Sequence, residues 1–219
     1  MRRAVGILLV AALVGGCGGG SSGKKSNTAA INAGDTGPLA PALLTQSQLR
    51  QVPGLSTAVV TSLKQTTFFA DPDPRGPCGA KVPALSVKDA VGVAIKADGV
   101  RGAAQIVARL PEGTAKKILD ARMADSTAGC PEFETVTHQG VHQRVLLVRI
   151  VRLHKEFEQA LAVVNAIKIG KSVRAATQID VRDGDVVSRI VIFTTAPIDN
   201  VTVRGIASLM GQNLHALDS

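Results

Sequence analysis

The chain has 219 residues, is 45% apolar and carries a formal charge of +8, enough for one domain with a core and a tail. It has no Trp, no Tyr and only five Phe. It therefore lacks both the aromatic platforms on which bases stack and a flat aromatic sugar-binding face.

Arg2 and Arg3 stand before an apolar run from Ala4 to Val14, and Gly15 and Gly16 lead into Cys17. A positive start, a short apolar stretch and small residues at the cut are the marks of a secretory signal. The eleven apolar residues span about 16 Å as a helix, against about 30 Å of hydrocarbon, too little for a permanent membrane span. Val14-Gly15-Gly16-Cys17 resembles the lipobox of bacterial lipoproteins, with Val14 where Leu is usual. The resemblance implies a signal peptide over 1–16, a diacylglyceryl group on the Cys17 sulfur and Cys17 as the new N-terminus. At about 0.8 kcal/mol per buried methylene, two or more acyl chains hold a protein stably on a membrane. The other reading is an ordinary secreted protein with a free Cys17.

Loss of Arg2 and Arg3 leaves 23 basic side chains against 17 acidic, a formal +6. Outside a membrane such charge meets anionic headgroups or wall polymers, or serves solubility alone. Nucleic acid is not the partner expected there. With Cys17 lipidated, Cys78 and Cys130 remain as an even pair, and outside the cytoplasm two such thiols are expected to form a disulfide. Their 52-residue separation makes the bond worth about 4 kcal/mol on the chain-entropy model. There is no Cys-x-x-Cys to favour a redox-active pair.

Residues 17–37 are mostly Gly, Ser, Ala, Asn and Thr with Lys24 and Lys25, a composition that predicts a flexible tether with ends roughly 25 Å apart. A single domain is expected over 38–219. Thr45 and Gln48 form a capping-box pattern, with Leu44 and Leu49 placed as a hydrophobic staple. Pro53-Gly54 stops that short helix. Residues 58–69, which include Phe68 and Phe69, carry no decisive pattern. The stretch from Asp71 to Cys78 holds three prolines and is expected to be an extended loop. Val91–Ile95, an Asp98-Gly99 turn and Ala103–Leu110 predict a hairpin, although Ser86 and Asp89 leave a capped helix over 87–97 open. Ala115, Ile118, Leu119, Arg122 and Met123 fall at helical spacing and predict a helix over 112–128, ended by Gly129-Cys130-Pro131.

Strands follow over 132–137, 145–153, 161–169, 175–182 and 186–194. His138–His142 reads as a hairpin connection. The run over 145–153 reads as a strand near the sheet centre. Asp183-Gly184 reads as a tight turn, since Asp-Gly suits positive φ angles. Val203, Ile206, Leu209, Met210 and Leu214 make the apolar stripe of a closing helix over 199–217. The class is α+β, a mostly antiparallel sheet with helices on one face.

No catalytic motif is present: no Gly-x-Ser-x-Gly elbow, Walker loop, His-Glu-x-x-His or glycine-rich dinucleotide turn. His138 and His142, with His154 and Glu132 as further candidates, have the spacing to share a metal; exposed loop histidines are the plainer reading. Asp71 with Asp73, and Glu132 with Glu134, are paired carboxylates whose default is solvated charge. Catalytic residues, metal and cofactor are expected to be none.

The order of motifs resembles the sensor-domain lipoproteins of mycobacteria and related actinobacteria. These are similar to the extracellular sensor domain of a mycobacterial serine/threonine kinase of the H type. The likeness rests on the lipobox and tether, the Leu-Leu-Thr-x-x-x-Leu helix, the Pro-rich run to Cys78, and the helix ending in Gly-Cys-Pro-Glu-Phe133. It spans roughly residues 40–217. It implies a helix-flanked antiparallel sheet with a central cleft that binds a ligand. The kinase-type domain has a second disulfide for which this chain holds no cysteines. The function expected is that of a lipid-anchored envelope domain binding an envelope lipid, a cell-wall fragment or a protein partner. The alternatives are a structural envelope lipoprotein acting through surface contacts, and a lipid carrier.

Overall fold

The computed structural model describes residues 31–32, 34–63, 65–66, 87, 89–127, 132–136, 142–153 and 159–217. In chain order the elements are β1 (Ile31–Asn32), α1 (Gln46–Arg50), β2 (Val59–Ser62), β3 (Gln65–Thr66), β4 (Asp89–Lys96), β5 (Val100–Arg109) and α2 (Thr114–Thr127). Then follow β6 (Glu132–Val136), β7 (His142–Arg152), β8 (Gln159–Ile169), β9 (Ser172–Asp183), β10 (Val186–Thr194) and α3 (Asn200–His215). Eight strands form one sheet in the order β2-β4-β5-β10-β9-β8-β7-β6, and β1 pairs with β3 in a separate two-stranded ladder. Every strand pairing in the eight-stranded sheet is antiparallel. The α+β class is as expected.

The order shows how the sheet is assembled. Strands β6 to β9 form a meander, each strand beside the next. Strand β10 returns beside β9 and presents its other edge to β5. The last strand thus lies between two halves made earlier in the chain. All nine of its residues are buried, as a strand covered on both faces requires. The 145–153 run instead belongs to β7, next to the edge strand β6.

Helices cover both faces of the sheet, not one. Strand side chains alternate between faces, and the two apolar clusters follow that alternation. Val93, Val107, Ile179 and Ile190 pack with Leu44 and Leu49 from the α1 region and with Val203, Ile206 and Met210 of α3. Ile106, Ala108, Val187, Val191 and Phe193 point the other way and pack with Ala115, Ile118 and Leu119 of α2. Alternate residues of β5 and β10 therefore serve two separate cores.

The local signals hold where they were strongest. Thr45 caps α1 with both bonds of the capping box, and Leu44 and Leu49 are buried. The hairpin at Asp98-Gly99 is present, with Gly99 at φ +74°, and the helix left open over 87–97 is strand β4 instead. At the β9–β10 turn the tip residues are Gly184 and Asp185, because Asp183 still pairs with Val186. Gly184, at φ +52°, takes the left-handed conformation that glycine adopts without steric cost. Part of the undecided stretch forms edge strand β2. Helix α1 blunts that edge: Arg50 Nε donates to the Ala58 carbonyl at 3.1 Å and Gln46 Oε1 accepts from Val60 N–H at 3.4 Å. Covering outward-facing edge groups in this way protects against pairing with another chain.

Ordered structure begins before Pro38. Ile31 and Asn32 pair with Thr66 and Gln65, and the Gly34 carbonyl accepts from Gly92 N–H at 2.7 Å. Gly92 permits this crowding, because a Cβ there would meet the Gln105 carbonyl at 3.1 Å and Leu63 at 3.3 Å.

Asp199 caps α3 by accepting from Thr202 N–H at 2.8 Å. Chiefly that bond, then the Thr202 hydroxyl, holds the carboxyl below its ordinary value of 3.8. Asp199→Ala is expected to lower the unfolding free energy by about 1 kcal/mol near neutral pH, read from urea melts. A depressed folded pKa gives stability that is present above the unfolded value and lost as pH falls through the folded one. The gap between wild type and variant should therefore narrow below about pH 4.

Candidate functional site

Strands β5, β10 and β9 carry five polar side chains into the buried centre, Thr177 of β9 (0% exposed) and the four that make side-chain contacts there. Gln105, Ser188, Arg189 and Asp180 are each at most 1% exposed. They were not singled out from the sequence, although one signal was there. Arg189 and Asp180 interrupt apolar strands at positions where a charge has no route to solvent.

Ser188 and Arg189 are consecutive, so their side chains leave β10 on opposite faces. On the α3 face Gln105 Nε2 donates to Ser188 Oγ at 2.9 Å and to the Ala42 carbonyl at 3.2 Å, while its Oε1 accepts from Leu44 N–H at 2.7 Å. A single amide thus joins β5 to β10 and fastens the segment before α1 onto the sheet. These bonds satisfy backbone groups that would otherwise be buried without a partner.

On the α2 face Arg189 stands directly across the ladder from Asp180. Its Nε donates to Asp180 Oδ1 at 2.5 Å, and Gln178 Nε2 donates to Asp180 Oδ2 at 2.6 Å. Both carboxylate oxygens are engaged, and the two charges cancel in the dry centre. Nearer the end of the sheet, Arg182 Nε donates to Gln159 Oε1, and Gln159 Nε2 donates to Asp120 on α2 at 2.8 Å. With Lys116 as its strongest partner, Asp120 titrates below the ordinary carboxylate value. A chain of side chains therefore leads from β9 to the helix on that face.

Such groups position elements; they do not make a reaction centre. Asp180 is neutralised by its guanidinium and sealed from water, which leaves it unsuited to proton transfer. Among the described residues no three or more His, Cys, Asp or Glu side chains are grouped to hold a metal. The sites expected from sequence do not coincide with this cluster. Cys17, Cys78 and Cys130 lie outside the described residues, as do His138, His154, Asp71, Asp73, Phe68 and Phe69. The predicted connection over His138–His142 lies outside the described residues except for His142, the first residue of β7, which stands across from Val136 in the antiparallel β6–β7 ladder. Glu132 and Glu134 are in β6. Among the described residues, no helix is long and apolar enough to cross a membrane.

The chain is similar in fold to the extracellular domain of PknH from Mycobacterium tuberculosis. The two superpose with a TM-score of 0.52 at 14% identity, over 81% of this chain and 94% of that domain. An uncharacterised protein of Mycobacterium smegmatis, the Rv0999 ortholog, aligns with a TM-score of 0.46 at 10% identity, over 83% of this chain and 97% of its own. No family model and no curated protein matches the sequence. The resemblance to a mycobacterial kinase sensor domain, first read from the order of motifs, thus extends to the fold.

The buried pair sets a test of what the centre contributes. Removing one partner strands a charge and typically costs 3–5 kcal/mol, whereas replacing both with apolar groups is often close to neutral. Asp180→Leu and Arg189→Met are each expected to destabilise by about 3 kcal/mol or more in urea melts. The double variant should recover most of that loss. Additive losses would show that the two side chains do not act as a pair.

Proposed function

We propose that this chain is a lipid-anchored, extracytoplasmic binding domain of the sensor type, held to the cell membrane by a diacylglyceryl group on Cys17. The observation that carries the reading is a coincidence of two independent features. The lipobox-like Val14–Cys17 addresses the chain to the outer face of a membrane, and the fold is shared with a domain that works outside the cell. A tether between Cys17 and Ile31 leaves the sheet free to reorient above the bilayer. A Cys78–Cys130 disulfide fastens the Pro-rich segment to the residues that follow α2. The ligand is an envelope lipid, a cell-wall fragment or a protein partner, taken into a cleft beside the central sheet. The role requires no cofactor and no catalytic residues.

Fatty-acid labelling tests the anchor. The wild-type chain is expected to incorporate labelled palmitate and to fractionate with membranes, and Cys17→Ala to lose both; unchanged labelling would defeat the claim. Peptide mapping without reductant should recover Cys78 and Cys130 in one linked fragment. Native mass spectrometry of the chain extracted from its own membrane tests the binding role. A co-purifying small molecule or a protein partner supports it. Repeated isolation of the bare protein would instead favour an envelope protein acting through surface contacts.

A further inference from the structure

On the α2 face, β8 and β9 carry a second set of polar side chains beside the buried ion pair. The register builds it around Ala176. Asn165 of β8 stands directly across from Ala176 on one side, and Phe193 of β10 on the other. Directly opposite residues in such a ladder have their Cβ atoms about 5 Å apart. Arg174 and Gln178 are the next residues of β9 on that face, each about 7 Å along the strand. Ile167 stands across from Arg174. Longer side chains therefore surround one methyl group, and Ala176 forms the low floor between them.

Burial divides this group in two. Ala176, Phe193 and Ile167 are at most 8% exposed, whereas Arg174, Asn165 and Gln178 are half-buried. The polar three have bonding capacity to spare. Among the described residues, the side chains of Arg174 and Asn165 make no hydrogen bond or ion pair, and Gln178 uses one donor, on Asp180. Asp180 is the carboxylate on this face of β9. It lies six residues from Arg174, about 20 Å along the strand, and is already held by Arg189. Glu132 and Glu134 of β6 fall in the adjoining rows, through Ala175 and Val173, and not in the row of Arg174.

A guanidinium partly withdrawn from water, with no acid beside it, is matched by an anion. Its planar fork fits the two oxygens of a carboxylate or phosphate. The two amides add donors and acceptors, and Phe193 and Ile167 offer apolar contact.

We propose that Arg174, Asn165 and Gln178, set around Ala176, form a site for a small amphipathic anion, in which a phosphate or carboxylate group meets Arg174 and an adjoining apolar portion meets Phe193. The proposal rests on the reading of the chain as a binding domain and names the face and the ligand class. Hexyl phosphate is titrated calorimetrically against the full chain in phosphatidylcholine nanodiscs, with empty discs as the blank. It should bind more tightly than either of its halves, inorganic phosphate or hexanol. Arg174→Gln should weaken binding about tenfold or more and leave the urea midpoint unchanged, since that side chain has no partner in the fold to lose. Arg174→Lys keeps the charge without the fork and should recover only part of the loss. Lys171→Gln, in the exposed turn nearby, should bind as wild type. The proposal is overturned if hexyl phosphate does not bind, if Arg174→Gln binds as wild type, if Lys171→Gln weakens binding as much, or if inorganic phosphate binds as tightly as hexyl phosphate. Failure here leaves the binding role standing when another molecule co-purifies with the wild-type chain. Loss of the anchor, read from palmitate labelling, leaves this titration unaffected.

Discussion

Strand β10 must lie between β5 and β9, and the rest of the fold depends on that constraint. The N-terminal strands supply β2, β4 and β5, and the later meander supplies β6 to β9. Neither half is a full sheet. A tight turn places β10 against β9, but nothing local directs its other edge to β5, a partner some eighty residues earlier in the chain. Two neighbouring side chains help to fix the choice. Ser188 bonds to Gln105 of β5 on one face, and Arg189 pairs with Asp180 of β9 on the other. A slip of one residue would turn Arg189 toward the α3 core and Ile190 toward the α2 core, and both polar pairs would be lost. The apolar residues of β10 favour burial in either register; the polar pair distinguishes the two.

The same junction carries the helical layers. Gln105 holds the Ala42–Leu44 segment, and that segment positions α1. Gln48 of α1 and the Leu43 carbonyl both bond to Asn213 of α3. The layer over one face is therefore tied to the sheet and within itself by side-chain amides, while Asp120 and Gln159 tie α2 to the other face. These amides add direction to an apolar packing that has little of its own.

Several parts of the fold were legible because a short stretch of sequence decides each of them. Thr45 with Gln48 and Asp98 with Gly99 are signals of that kind, and both mark the ends of real elements. The existence of α2 and α3 follows from helical spacing, their observed ends falling one or two residues inside the expected ones. What could not be read is what depends on distant pairing. Val59–Ser62 has no clear alternation and becomes an edge strand because β4 offers it a ladder. Arg189 and Asp180 look like interruptions until the register sets them opposite each other. The single-face placement of helices failed because β5 and β10 are apolar on both faces, a pattern that calls for cover on each side. The cysteine pair and lipobox rest on a different kind of information, compartment and chemistry, to which the arrangement of the described strands adds nothing.

A domain built this way has a stiff centre, where β10 is buried along its whole length and paired on both edges. Native-state hydrogen exchange measures that stiffness most directly. The amides of Val186–Thr194 should exchange only through global unfolding, with opening free energies equal to the unfolding free energy from urea melts, and the outer strands β2 and β6 should open at lower cost. Exchange of β10 amides at a clearly lower free energy than those of β7 and β8 would contradict the account, because the strand that joins the two halves would then be the first to leave.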